Sequence, residues 1–303
     1  MGFPIFEGIM TPIVTPFDSR GEMDFDALGQ HIDFLVANGV SWLIPGGSTG
    51  EYYAMTLEER KRQLAFVVER AKGRVRLAAG TNSARPADTL ELNAYVKDLG
   101  YEAIMMASPF YSLPTPGELI AHFRRVAAAT TLPIILYNFP ARTGVDLGPA
   151  FLEGVKDVPN IVGIKESAGS FARTLEHFLR FPNLQRIIGN DDQAVDLFLW
   201  GSRAWIAGGS NCIPAEHVAL YKAAAVKQDF VLAQRIMAGM MPLLNHLETC
   251  GKFLQCVKYG TELTGLERGD PRPPLLPLAV AEKAHFRSLY DQLKSANLPG
   301  LVD

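Results

Sequence analysis

Eight short apolar runs alternate with amphipathic segments along the first three quarters of the chain, and this alternation constrains the fold more than any other feature. The runs fall at roughly 7–14, 41–45, 75–79, 103–107, 133–137, 161–165, 186–189 and 204–207. Helical patterns lie between them. DFDALGQHIDFLVANG carries Asp24 as an N-cap signal and Gly39 as a stop. TLEERKRQLAFVVERAKG opens with Thr56 and has Glu59 three residues on, a capping-box pattern. Further helical stretches follow at about 86–99, 116–130, 148–156, 170–180, 192–200 and 214–227. Strand–helix units in series need parallel strands joined by helical crossovers. Eight of them close a (β/α)8 TIM barrel. A doubly wound open sheet is the structural alternative, but no GxGxxG follows the first run.

After about residue 228 the strands stop. DFVLAQRIMAGMMPLLNHLETCG and the segment 277–296 read as helices with PRPPLLP between them. The expected organisation is therefore a barrel over 1–228 that carries the active site, and a C-terminal helical extension over 229–303 packed on it.

The 303 residues carry a formal net charge of −3, which argues against nucleic acid or an anionic membrane as partner. The N-terminal MGFPIFEGIMTPIVTPF has no basic start and is broken by prolines, so it does not read as a signal peptide, and no stretch reaches the length of a membrane span. Cys212, Cys250 and Cys256 are odd in number and lack paired metal spacing, and the six histidines form no HExxH cluster. A reduced, cytoplasmic setting with no metal is the expectation.

In such a barrel the chemistry sits at the C-terminal ends of the strands. Those ends read PGGSTGE (45–51), ASPFYS (107–112), LYNFPARTG (136–144), GIKES (163–167), GNDD (189–192) and AGGSN (207–211). Lys165 closes the sixth apolar strand. Burial there lowers its pKa and leaves a neutral amine, a nucleophile that forms Schiff bases with carbonyls. A lysine snorkelling along the wall to water is equally compatible with the position. Tyr137 ends the neighbouring fifth strand and either shuttles protons or fills the barrel core. GGSTGE offers backbone N–H groups and two hydroxyls as a carboxylate cradle, although such clusters are also ordinary turns. Arg142 suits bidentate carboxylate recognition or a surface ion pair. AGGSN stands where barrels often bind phosphate, with only Arg203 nearby as a basic residue.

Taken together, GGSTGE after strand 2, YNFPARTG after strand 5 and GIKES after strand 6 resemble the dihydrodipicolinate synthase/N-acetylneuraminate lyase family of class I aldolases. The similarity spans the barrel and runs into the helical tail. It implies a small-molecule 2-oxo acid as substrate and a covalent imine on Lys165 in place of any cofactor. Ser48 and Thr49 match the pair that binds the 2-oxo acid's carboxylate, with Thr49 helping to relay protons to Tyr137. Tyr111 matches a tyrosine inserted into a neighbouring subunit's site, so a homotetramer built as a dimer of dimers is implied. Ile206 matches a strand 8 residue whose carbonyl faces the site. Gly189, Asp191 and Asp192 match a loop that contacts the distal part of the substrate in the sugar-acid lyases.

The motifs point two ways within the family. Ser48–Thr49 is more like the neuraminate and keto-deoxy-sugar-acid lyases, whereas Arg142 in PARTG matches the synthases' arginine for the second carboxylate. Tyr52 and Tyr53 stand where lysine-inhibited synthases carry small or polar residues, and Leu57, Ala84 and Asp88 occupy the positions of that allosteric site, so lysine feedback is not expected. The leading expectation is condensation of pyruvate with aspartate semialdehyde. The alternatives are aldol cleavage of a 2-keto-3-deoxy sugar acid or N-acetylneuraminate, and dehydration or deamination of a 4-substituted 2-oxo acid. A non-catalytic 2-oxo-acid sensor has no need of Lys165.

Overall fold

The computed structural model describes residues 6–266 and 269–300. The first five residues, part of the N-terminal reading, and the last three of the extension lie outside them. Eight parallel strands form a closed barrel in chain order. They are β1 (Gly8–Thr11), β2 (Trp42–Leu43), β3 (Arg76–Gly80), β4 (Ala103–Ala107), β5 (Ile134–Asn138), β6 (Ile161–Glu166), β7 (Gln185–Ile188) and β8 (Ala204–Ile206). Closure comes from β1 against β8, with Gly8 opposite Ala204 and Met10 opposite Ile206. The open-sheet alternative is thereby excluded.

The crossovers are α1 (Phe25–Ala37), α2 (Leu57–Ala71), α3 (Pro86–Leu99), α4 (Pro116–Ala128), α5 (Pro140–Thr143), α6 (Pro149–Val155), α7 (Phe171–Arg180), α8 (Ala194–Leu199) and α9 (Pro214–Tyr221). The caps do what their residues dictate. The Asp24 side chain accepts from the Ala27 N–H, and Thr56 and Glu59 close a reciprocal capping box that satisfies two otherwise orphaned donors. Strands β1 and β2 are shorter than the apolar runs that encode them. Pro12 and Pro45 follow them and have no N–H to give to a ladder.

Strand alternation sorts the core into two layers. Met10, Trp42, Met105, Ile135, Tyr137, Ile187 and Ile206 fill the interior. Ile9, Leu43, Ile104, Ile134, Leu136, Ile164 and Trp205 face the helices. Each such fully buried aliphatic side chain contributes about 1.5–3 kcal/mol relative to exposure.

Beyond the barrel lie α10 (Phe230–Thr249), α11 (Phe253–Glu262) and α12 (Val280–Ser295). Two of these match the expected helices; α11 does not appear in the sequence reading, where it passed for connection. Its sequence, FLQCVKYGTE, carries a mid-helix glycine, which weakens helix propensity. Gly260 is there for packing, since a Cβ on it would sit 2.8 Å from Cys212 Cβ. A buried ion pair ties α11 to the barrel. Lys258 Nζ donates to Glu51 Oε1 at 2.8 Å and to the Asp270 carbonyl at 2.9 Å, and the Arg272 N–H donates to Glu51 Oε2 at 2.9 Å. Glu51, at the end of GGSTGE, has a left-handed backbone with φ of 57° and is fully buried.

Candidate active site

Lys165 and Glu166 point to opposite faces of β6, as neighbours in a strand must. Glu166 turns outward, where Asn138 Nδ2 donates to both its oxygens at 3.0 Å and the Ala168 N–H donates at 2.9 Å. His177 Nδ1 lies 3.3 Å from it. These contacts fix the strand end, and so Lys165 is held inward. Its side chain is 7% exposed, which rules out the snorkelling arrangement. Tyr137 is its register partner on β5, and the ammonium nitrogen lies 4.3 Å from the centre of the Tyr137 ring.

Burial pushes the Lys165 amine down from 10.5 to about 8, against the pull of the Asp191 and Glu248 carboxylates. At pH 7 the neutral fraction rises from about 0.03% to about a tenth. Burial also pushes the Tyr137 phenol up, with a further push from Glu248, so it stays protonated at neutral pH. Asp191 is raised by desolvation and by Glu248, although Trp205 Nε1 donates to its Oδ1 at 2.9 Å. Its other oxygen is buried and has no partner among the described residues.

Ser48 and Thr49 form a short 3-10 turn directly after β2, with Thr49 buried. The turn is locked by a backbone contact. Gly46, at φ of 75°, lies so close to Gly80 that a Cβ on it would meet the Gly80 carbonyl at 2.5 Å, and a Cβ on Gly80 would meet Gly46 at the same distance. Only glycine fits either side. Ile206, the last residue of β8, is buried in the interior layer.

Arg142 sits on α5 at the rim, exposed, with no ion pair among the described residues. Its charge opposes the upward push of burial on both the Tyr137 and Tyr53 phenols. Tyr53 is half exposed beside it and is pushed up to about 12, chiefly by burial. Tyr52 packs edge-on against Phe110, with the Arg60 guanidinium 5.1 Å from its ring centre.

Three expected residues stand apart. Tyr111 is 94% exposed at a φ of 72°. Gly189 has a packing reason of its own, since a Cβ there would come within 2.3 Å of the Glu166 carbonyl oxygen. Asp192, beside the buried Asp191, is exposed. AGGSN is not a phosphate loop. Ser210 is buried and bonded to Thr11 and the Ala207 carbonyl, Asn211 is spent on His31, Val14 and Pro12, and Phe253 covers Gly208.

Sequence reasoning missed two contributors. Glu248, near the end of α10, acts electrostatically on Lys165, Tyr137 and Asp191 together. Phe253, at the start of α11, closes over the end of β8; a Cβ on Gly208 would meet its ring at 2.5 Å. Both lie in the extension, more than forty residues past the last strand, where no periodic signal marks a site.

Residues 5–293 match the family model described as the dihydrodipicolinate synthetase family. The 4-hydroxy-tetrahydrodipicolinate synthase of Exiguobacterium sibiricum is 36% identical over 283 residues, covering 93% of this chain and 96% of the relative. Among solved structures, YagE, a prophage protein of the dihydrodipicolinic acid synthase family from E. coli K12 in complex with pyruvate, superposes with a TM-score of 0.90 at 31% identity, covering 96% of this chain and 99% of YagE. The chloride-inhibited dihydrodipicolinate synthase of Acinetobacter baumannii, complexed with pyruvate, gives 0.89 at 29% identity, covering 96% and 99%. Fold and likeness together define an enzyme, a lyase of the class I aldolase type. The chain belongs to the dihydrodipicolinate synthetase family. Among the described residues no helix is long and apolar enough to cross a membrane.

Proposed function

We propose that the protein forms a Schiff base between Lys165 and pyruvate and condenses the resulting enamine with aspartate semialdehyde. The observation that carries this reading is the buried Lys165 amine, brought down to about 8, with its nitrogen 4.3 Å from the centre of the Tyr137 ring. The free amine attacks the ketone carbon, and Tyr137, held as the phenol, gives a proton to the departing hydroxyl as water leaves. The iminium is an electron sink that allows a C3 proton to be lost. The enamine carbon then attacks the aldehyde of the second substrate. The Ser48–Thr49 turn receives the pyruvate carboxylate, and the unpaired Arg142 at the rim receives the carboxylate of the semialdehyde. No metal or cofactor enters this scheme.

A second reading, cleavage or dehydration of a hydroxylated 2-oxo acid, is favoured by Asp191 and Glu248. A raised carboxyl with a free oxygen suits a substrate hydroxyl. Borohydride reduction in the presence of pyruvate tests the shared step: the Lys165 peptide is expected to gain the mass of a reduced pyruvate adduct. Absence of that adduct removes both readings. A coupled assay with aspartate semialdehyde separates them, because the synthase reading requires turnover with that aldehyde.

The exposed Tyr111, held out on left-handed backbone, supports insertion into a partner's site within a dimer of dimers. Two further outcomes are expected. Tyr137→Phe lowers kcat by about 10²–10⁴-fold while pyruvate can still be trapped on Lys165 after long incubation. Arg142→Ala raises KM for the second substrate by about 10–100-fold and leaves that for pyruvate unchanged, as initial-rate kinetics with each substrate varied will show.

A further inference from the structure

The six-residue step between Cys250 and Cys256 gives no recognisable metal spacing in the sequence, but the fold closes it. Cys250 caps the C-terminus of α10, and Cys256 lies in the first turn of α11. His246 stands one helical turn before Cys250, on the same face. The two sulfurs are 3.6 Å apart, and His246 Nε2 is 3.9 Å from Cys256 Sγ. All three ligand atoms lie within 4.8 Å of one another. Two metal–sulfur bonds of about 2.3 Å at a tetrahedral angle set sulfurs about 3.8 Å apart, and a sulfur and an imidazole nitrogen slightly closer. The side chains therefore already stand near the spacing such an ion needs.

We propose that His246, Cys250 and Cys256 bind a thiophilic divalent cation of the zinc class. Two thiolates and one imidazole form a soft donor set that selects zinc over magnesium or calcium. The surroundings fit that ion. The Lys252 N–H points at Cys250 Sγ at 3.3 Å, a donor that favours the thiolate. Binding exchanges two S–H protons for two metal–sulfur bonds, and both protons go to solvent. Cys250 and His246 are only partly buried, which leaves an entry path and a fourth position open to water. His285, on α12, stacks its ring edge-on at 4.9 Å and braces the imidazole.

The cation has a structural consequence at the barrel mouth. Phe253 lies between the two cysteines, and Glu248 lies two residues before the first. A clamp from α10 to α11 holds both groups over the end of β8 and the lysine.

The test uses the full-length protein, reduced and stripped with a chelator, then titrated with cobalt(II) and zinc(II). The expected result is a single equivalent bound, with thiolate-to-cobalt charge-transfer absorption, intense tetrahedral visible bands, and release of two protons. Zinc is expected to displace the cobalt and raise the thermal midpoint. Cys250→Ser and His246→Gln each remove the bands. Neither residue is fully buried, so both variants are expected to fold, which far-ultraviolet circular dichroism checks. Three outcomes overturn the proposal: no cobalt bands in the wild type, bands that persist in both variants, or, in protein isolated without reductant, a Cys250–Cys256 disulfide in place of bound metal. Every readout is of metal and thiol, so failure here is distinct from failure of the lysine chemistry.

Discussion

Lys165→Met is expected to abolish turnover, by four orders of magnitude or more on the scale of nucleophile deletions, and at the same time to make the protein harder to unfold. The second half follows from linkage. The amine is held near 8 in the folded chain and near 10.5 once unfolded, so between those values the unfolded chain binds more protons. Stability therefore rises with pH from about 8 to 10.5, and below 8 the native lysine costs about 3 kcal/mol. Methionine has nearly the same shape and no charge to bury. Its variant is expected to unfold a few degrees higher at pH 7, and the advantage is expected to fade by pH 10. Urea midpoints across that pH range decide it. An unchanged or lower midpoint for the variant at pH 7 would show that Lys165 is not held against its own protonation.

Lys258→Met is expected to act in the opposite direction, losing about 3–5 kcal/mol. It leaves Glu51 buried with the Arg272 N–H as its remaining hydrogen-bond donor among the described residues, and the cost is chiefly that of the abandoned carboxylate. Glu51→Gln combined with Lys258→Met should recover most of the loss, because both charges then go together. The double-mutant cycle is the measurement, and additivity of the two single effects is the result that sinks the account. Since Glu51 ends the Ser48–Thr49 turn, the single variant is also expected to weaken pyruvate binding before it unfolds.

Lys165 and Tyr137 were legible because strand order puts neighbouring strand ends side by side; once eight units were counted, β5 and β6 had to touch. The same count marked GNDD as a strand end, and the family resemblance singled out Asp191 within it. The capping residues Asp24, Thr56 and Glu59 declared themselves locally. What stayed hidden depends on contacts with no local signature. Helix α11 hides behind Gly260, a residue chosen for its fit against Cys212. Glu248 carries no motif and matters only because α10 crosses the barrel mouth. His246, Cys250 and Cys256 come together only when α10 and α11 fold back on one another. Lys258 looks like any surface lysine until Glu51 is seen 2.8 Å away. Tyr111 is the reverse case: the motif singles it out, and the fold leaves it 94% exposed.

The touching backbones of Gly46 and Gly80 divide the pocket into a half that evolution can edit and a half that it cannot. Any side chain introduced at either position collides with main chain, so the Ser48–Thr49 end, where we propose the 2-oxo acid's carboxylate binds, is frozen by geometry. The outer rim is built from side chains: Tyr53, Arg142 and Glu248 at the surface, with Tyr52 half-buried. Each can be exchanged without moving a strand. New substrates for this scaffold are therefore reached by redecorating that rim, and libraries for altered specificity belong there.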